Sequence, residues 1–151
     1  MHVLRAEKGF IIVGQDSDGS VTPEDLGMDW AIARRKPFSF IGKRGLARAD
    51  CLRDDRKQLV GLLPADQDFV LPEGSQIVFE KPVSLPATMV GHVTSSYFSA
   101  NLDHSFALAL VSAGRNRIGE TVQVSTGPTT WQTATICDSV FIDPAGERQH
   151  V

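Results

Sequence analysis

From about residue 58 onward, short apolar runs alternate with Gly and Pro breaks. Gln58 to Leu63, Ser75 to Glu80, Met89 to Thr94, Ser105 to Val111, Thr121 to Ser125 and Thr133 to Cys137 are each rich in β-branched or aliphatic residues. The breaks fall at Pro64, Pro72-Glu73-Gly74, Pro82, Pro86, Gly114 and Gly127-Pro128. Proline lacks the amide donor a ladder needs, and glycine supplies turn geometry. Six short strands at this spacing, with no convincing helix between them, predict a mainly β fold, a small antiparallel barrel or sandwich over residues 56–151.

The first third of the chain has a different texture. Leu4 to Phe10 reads as the end of a helix, and Asp16-Ser17-Asp18-Gly19-Ser20 as a solvated turn. Thr22-Pro23-Glu24-Asp25 has the order of a helix start, with Thr as cap, Pro first and two acids facing the dipole. Gly27 stops it early. Ala31-Ile32-Ala33 predicts a short strand and Gly42 to Arg48 a short helix, followed by a charged bridge from Asp50 to Lys57. The opening crowds Arg5, Glu7 and Lys8 against Leu4 and Phe10 with no cap before them. It reads like the interior of a folded domain, so residues 1–48 are expected to be the end of a domain in a longer protein.

Composition narrows the function classes. A hydrophobic share of 42% and a charged share of 22% exclude a disordered tail. The net charge of −3 offers no global basic field to nucleic acid. No apolar run approaches the roughly 20 residues of a membrane helix. Cys51 and Cys137 make no disulfide framework and are expected as reduced thiols in a cytoplasmic protein.

Local motifs for chemistry are sparse. Asp16-x-Asp18-Gly19 lacks EF-hand spacing. His2, His92, His104 and His150 have no Cys partner at zinc spacing, so no metal site is assigned. Gly42-x-x-Gly45 falls short of a dinucleotide loop, and no serine stands in a nucleophile elbow. No catalytic residue is assigned. Arg34, Arg35, Lys36, Lys43, Arg44, Arg48, Arg53, Arg56 and Lys57 gather many cations into one stretch. Asp50, Asp54 and Asp55 interrupt it and only Phe38 and Phe40 interleave, so a solvated or subunit-contact face fits better than an RNA platform.

A series of motifs in register resembles the aminomethyltransferase family, the folate-dependent T-protein of glycine cleavage and its relatives. They are Leu4-Arg5-x-Glu7-x-Gly9, Gly14-Gln15-Asp16-x-Asp18, Thr22-Pro23, Leu26-Gly27-Met28-x-Trp30 and Phe40-Ile41-Gly42-Lys43-Arg44. Further on stand Arg56-Lys57-x-Leu59-Val60-Gly61-Leu62, Gly91-His92-Val93-Thr94-Ser95, Ser99-x-x-Leu102, Ala107-Leu108-Ala109 and Ile118-Gly119-Glu120. Glu7 to Asp16, with Thr94-Ser95-Ser96-Tyr97-Phe98-Ser99, is more similar still to the branch that ends the α subunits of heterotetrameric sarcosine oxidases. Phe10 after Lys8-Gly9 departs from the branch linked to tRNA modification, which carries Cys there.

The resemblance implies a compact six-stranded β-barrel preceded by a short α+β remnant of a folate-binding domain. It implies tetrahydrofolate as cofactor, with methylenetetrahydrofolate formed from the oxidised N-methyl group of sarcosine. Phe10 then lies close to the folate slot, Arg5 and Glu7 lead to it, and Gln15 sits in the turn after it. Trp30 and Tyr97 are candidate pocket walls. An ion pair holding the segment is an equal alternative for Arg5 and Glu7, while for Trp30 and Tyr97 a core or interface role is the favoured one. The proton-handling carboxylate and most pterin contacts fall upstream in the family, and flavin and NAD belong to other regions of the full enzyme. Expected partners are the rest of the α subunit, the other oxidase subunits and folate, with no nucleic acid or membrane. The isolated chain is expected to self-associate near Phe10. The Arg34-Arg35-Lys36 cations are expected to suit a folate polyglutamate tail. A stand-alone β-barrel module binding a partner protein or RNA is the other function class considered.

Overall fold

The computed structural model describes residues 1–82, 84 and 86–149; His150 and Val151 lie outside them. Six strands form where the apolar runs predicted them: β1 Lys57–Pro64, β2 Gln76–Val78, β3 Gly91–Ser99, β4 His104–Ser112, β5 Thr121–Ser125 and β6 Trp131–Cys137. They close into a barrel in the order β1-β4-β3-β2-β5-β6. Leu62 on β1 pairs with Ile136 on β6 to complete the ring, and every pairing is antiparallel. Closure removes the unpaired edges that an open sheet would expose.

Alternation along β4 shows how the barrel is covered on both sides. Ala107, Ala109 and Val111 point inward, where they meet Val60, Leu62, Ile77, Val93, Val122, Val124, Ala134 and Ile136. Their neighbours Phe106, Leu108 and Leu110 point outward, yet they are buried too. Ala6, Val3, Ile11, Val21 and Leu26 from the start of the chain pack over this outer face, and Phe141 covers it from the other end. The Phe106 and Phe141 ring centroids lie 4.5 Å apart with the rings tilted, a favourable aromatic arrangement. The apolar coat therefore carries the first 26 residues against the barrel wall.

Helix α1 spans His2–Glu7. Gly9 ends it with φ +70, the Gly9 N–H bonding to Ala6 O and the Phe10 N–H to Arg5 O. This is the paired C-terminal bonding of a Schellman end, which needs a left-handed residue. A Cβ at Gly9 would also stand 2.8 Å from Ser139 O. Helix α2 forms at Lys43–Leu46, inside the stretch expected to be helical. The Thr22-Pro23 start yields one turn only. Asp25 closes it as a capping box, accepting from Thr22 N–H at 2.7 Å, and Gly27 then turns away at φ +73.

Two expected strand assignments need correction. Ala31-Ile32-Ala33 is no strand: a 3-10 turn covers Asp29–Ala31, because the closed barrel leaves no edge for a further strand to join. Strand β3 runs to Ser99, well past the expected end at Thr94. Ser95-Ser96-Tyr97 looks polar enough to stop a strand, but Ser95 and Tyr97 meet Asp16 and Arg5 of the opening segment and Ser96 Oγ donates to Phe106 O on β4.

Candidate functional site

The opening segment is attached to β3 through a buried polar cluster centred on Asp16. Asp16 was expected in a solvated turn; it is instead fully buried. Its carboxylate pairs with the Arg5 guanidinium and accepts hydrogen bonds from Thr94 Oγ1 at 2.5 Å, Ser95 Oγ at 2.6 Å and the Ile12 N–H at 2.9 Å. Two consecutive strand residues ordinarily face opposite sides of a sheet. Here the β3–β4 register slips between Val93 and Ser95, and this bulge turns both hydroxyls onto one carboxylate. Burial alone would push the Asp16 carboxyl up, but the bonds from Ser95, Thr94, Ile12 and Arg5 outweigh it and hold it below the usual carboxylate range.

Arg5 continues the cluster, donating to Ser95 Oγ at 2.7 Å and to the Tyr97 hydroxyl at 3.1 Å. Its guanidinium also lies 5.8 Å from the Tyr97 ring centre. Glu7 is 3% exposed and accepts from Ser99 Oγ at 2.5 Å and Asn101 Nδ2 at 3.0 Å. Gln15 donates to Thr94 O at 3.2 Å and to Glu73 at 3.0 Å. Arg5, Glu7, Gln15 and Tyr97 thus come together along β3, tied to chain groups. Arg5 pairs with Asp16, not Glu7. Phe10 and Trp30 are 63% and 79% exposed, with Trp30 in the 3-10 turn beside Ala31.

A second polar cluster ties the middle of the segment to the start of β1. The Arg56 guanidinium bonds to both Asp25 oxygens, to Asp50 and to Ser20 O. Burial opposes the Asp25 charge, but Arg56 and Thr22 outweigh it, so this carboxyl too sits below its ordinary range.

Above this cluster lies an apolar cavity of about 560 Å³, between the Thr22-Pro23 turn, Ile32, Phe40 and Cys51, with Lys36 on its wall. A smaller one of about 250 Å³ shares Ile32, Phe40 and Leu46 and adds Arg34 and Lys43. Arg35, Lys36, Lys43, Arg44 and Arg48 join no ion pair among the described residues. The basic strip divides accordingly: Arg53 and Arg56 are neutralised by Asp50, Asp55 and Asp25 and Arg34 pairs with Glu24, while Lys43, Arg44 and Arg48 around α2 are unpaired among the described residues. Apolar walls with a cationic rim suit a flat organic anion.

Among the described residues no three His, Cys, Asp or Glu side chains converge as a metal site, and no helix is long and apolar enough to cross a membrane. Cys137 lies against the barrel wall, its thiol pushed up to about 12 by burial and by Asp138.

A small closed antiparallel barrel carrying a clamped, cavity-bearing N-terminal segment defines a class of accessory barrel domain. Residues 57–143 match the model of the glycine cleavage T-protein C-terminal barrel domain, and the chain belongs to that family. It is 48% identical over 153 residues to the sarcosine oxidase subunit alpha of Corynebacterium sp. (strain P-1), covering 99% of this chain and 15% of that relative. The corresponding subunit of Rhizobium meliloti (strain 1021) is 40% identical over all of this chain. An aminomethyltransferase of Cupriavidus taiwanensis is 36% identical over 80% of the chain and 29% of that relative. The chain thus spans 15% of the length of these oxidase subunits. The crystal structure of glycine cleavage system aminomethyltransferase T from Bartonella henselae shares the fold, with a TM-score of 0.74 at 21% identity over 93% of this chain and 37% of that one.

Proposed function

We propose that this chain forms the C-terminal folate-side portion of a sarcosine oxidase α subunit. It helps hold tetrahydrofolate where the oxidised N-methyl carbon of sarcosine is converted to methylenetetrahydrofolate. The observation that carries this reading is the apolar cavity walled by Pro23, Ile32 and Phe40 with Lys36 beside it, in a chain 48% identical to a sarcosine oxidase subunit alpha. Tetrahydrofolate, when bound, supplies the pair of nitrogens that takes up the one-carbon unit.

The residues present fit such a ligand. Pro23, Ile32 and Phe40 would hold its flat rings and Lys36 its terminal carboxylate. Lys43 and Arg34, on the adjoining cavity, would hold further carboxylates of a polyglutamate tail, Arg34 by exchanging its Glu24 partner. Trp30, next to the cavity-lining Ala31, would offer an exposed ring face for stacking; Phe10 is exposed too but lies outside the cavity lining. Arg5, Glu7, Gln15 and Tyr97 act from behind: their polar groups bind within the chain, so they hold the segment that presents Phe10.

Titration of the complete native protein with monoglutamyl and pentaglutamyl folate tests this. Arg34→Ala/Arg35→Ala/Lys36→Ala is expected to weaken the pentaglutamyl form by about tenfold or more, with less effect on the monoglutamyl form. Equal loss of both would remove the polyglutamate assignment, and no folate binding by the unaltered protein would remove the whole reading.

A further inference from the structure

We infer that Arg56 is the positioning residue that sets the width of the apolar cavity, although it does not line it. The geometry shows a single guanidinium holding two separate walls. Nε and Nη2 reach Asp25 at 2.6–3.0 Å, and Nη2 also reaches Ser20 O at 2.6 Å. Nη1 reaches Asp50 Oδ2 at 2.7 Å and Asp50 O at 3.3 Å. All three nitrogens, which together carry five N–H donors, are thereby engaged.

Each contact leads to a cavity wall. Ser20 precedes Val21, and the Asp25 carboxylate receives Thr22 N–H and Oγ1; Val21, Thr22 and Pro23 line one side. Asp50 precedes Cys51, which lines another. Arg56 itself is fixed to the barrel, because its carbonyl accepts the Ala113 N–H at 2.9 Å. Asp25 is fixed as well, its carbonyl accepting the Leu59 N–H at 2.8 Å. The barrel therefore supplies a rigid point from which one forked side chain spaces two otherwise weakly structured walls. A lysine preserves the charge but not the fork, so it is not an equivalent replacement.

The inference rests on the folate reading for its ligand but not for its geometry, and the experiment separates the two. Cys51 on the cavity wall and Cys137 on the barrel are labelled with N-ethylmaleimide in the complete native protein, each rate being followed by peptide mass spectrometry. Arg56→Gln is expected to raise the Cys51 rate about tenfold or more, since one partner of a buried ionic network is lost and the wall opens locally. Cys137 is expected to stay slow. Arg56→Lys is expected to behave more like Arg56→Gln than like the unaltered protein, and it gives the same reading should the glutamine variant not fold. In parallel, the Kd for 5-formyltetrahydrofolate is expected to rise about tenfold in both variants. An unchanged Cys51 rate would overturn the assignment, as would a joint rise of Cys51 and Cys137, which places Arg56 in general barrel stability. Absence of folate binding by the unaltered protein would remove the ligand reading and leave the Cys51 result to decide the positioning role.

Discussion

The barrel and the segment before it are stabilised in opposite ways. From Lys57 to Cys137 the sheet is closed, the interior is aliphatic, and support is spread over many small contacts. From Met1 to Arg56 there are two helices of 6 and 4 residues, far shorter than the roughly 12–15 residues at which an isolated helix becomes even marginal in water. That segment keeps its shape by resting an apolar coat on β4 and by three buried acids: Asp16 with Arg5, Glu7 with Ser99 and Asn101, and Asp25 with Arg56. On the proposed reading, the difference separates scaffold from working surface. Met1, Leu4, Phe10, Val13, Trp30, Phe38, Ile41 and Leu52 all remain exposed on the segment, which also carries the two cation-rimmed cavities between Val21 and Leu52.

Concentrated support predicts concentrated sensitivity. The largest effect is expected from Asp16→Ala, which leaves the Arg5 guanidinium covered without its counter-charge. A loss of about 3–5 kcal/mol is expected, read from urea unfolding. By contrast Ile136→Val, inside the barrel, is expected to cost about 0.5–1.5 kcal/mol. Similar costs for the two would break the contrast between concentrated and distributed support.

Next in size is the response to acid. The depressed carboxyls of Asp16 and Asp25 contribute stability that is complete above the ordinary aspartate range, about pH 4, and is lost as pH falls through their lower folded values. Urea midpoints for the unaltered chain are therefore expected to fall below about pH 4 more steeply than for Asp16→Asn. Parallel slopes would mean that Asp16 is not a principal carrier of the acid response.

The smallest stability effect is expected from Phe10→Ser, within about 0.5 kcal/mol, because the ring is exposed. Its consequence is expected in association instead. Sedimentation of the isolated chain should show self-association at high concentration that this substitution reduces. A chain monomeric throughout would show that the exposed apolar face does not drive association.

The strands were readable from residue types because β-branched runs and Gly or Pro breaks carry local information. Whether they closed was not: the runs alone permitted a barrel or a sandwich, and closure depends on Leu62 meeting Ile136. The polar clamps were hidden for a related reason. Asp16 stands in Asp-Ser-Asp-Gly-Ser, a composition that ordinarily marks solvated turns, and its burial depends on a bulge at Thr94, far away in the chain. The available signal was Thr94-Ser95-Ser96, a hydroxyl run within an otherwise apolar strand. Arg56 was likewise read within a charged bridge, a basic stretch and a family motif, and Asp25 within a helix start, with nothing to pair the two. Ala31-Ile32-Ala33 failed because strand propensity counts only where a neighbouring edge is free.

The most direct test of this division is hydrogen exchange of the complete native protein with and without tetrahydrofolate. Slower exchange in residues 21–51 on adding the ligand, with β1 and β4 already protected and unchanged, is the predicted result. Ligand protection confined to the barrel strands, or none in residues 21–51, would contradict the assignment of the segment as the working surface.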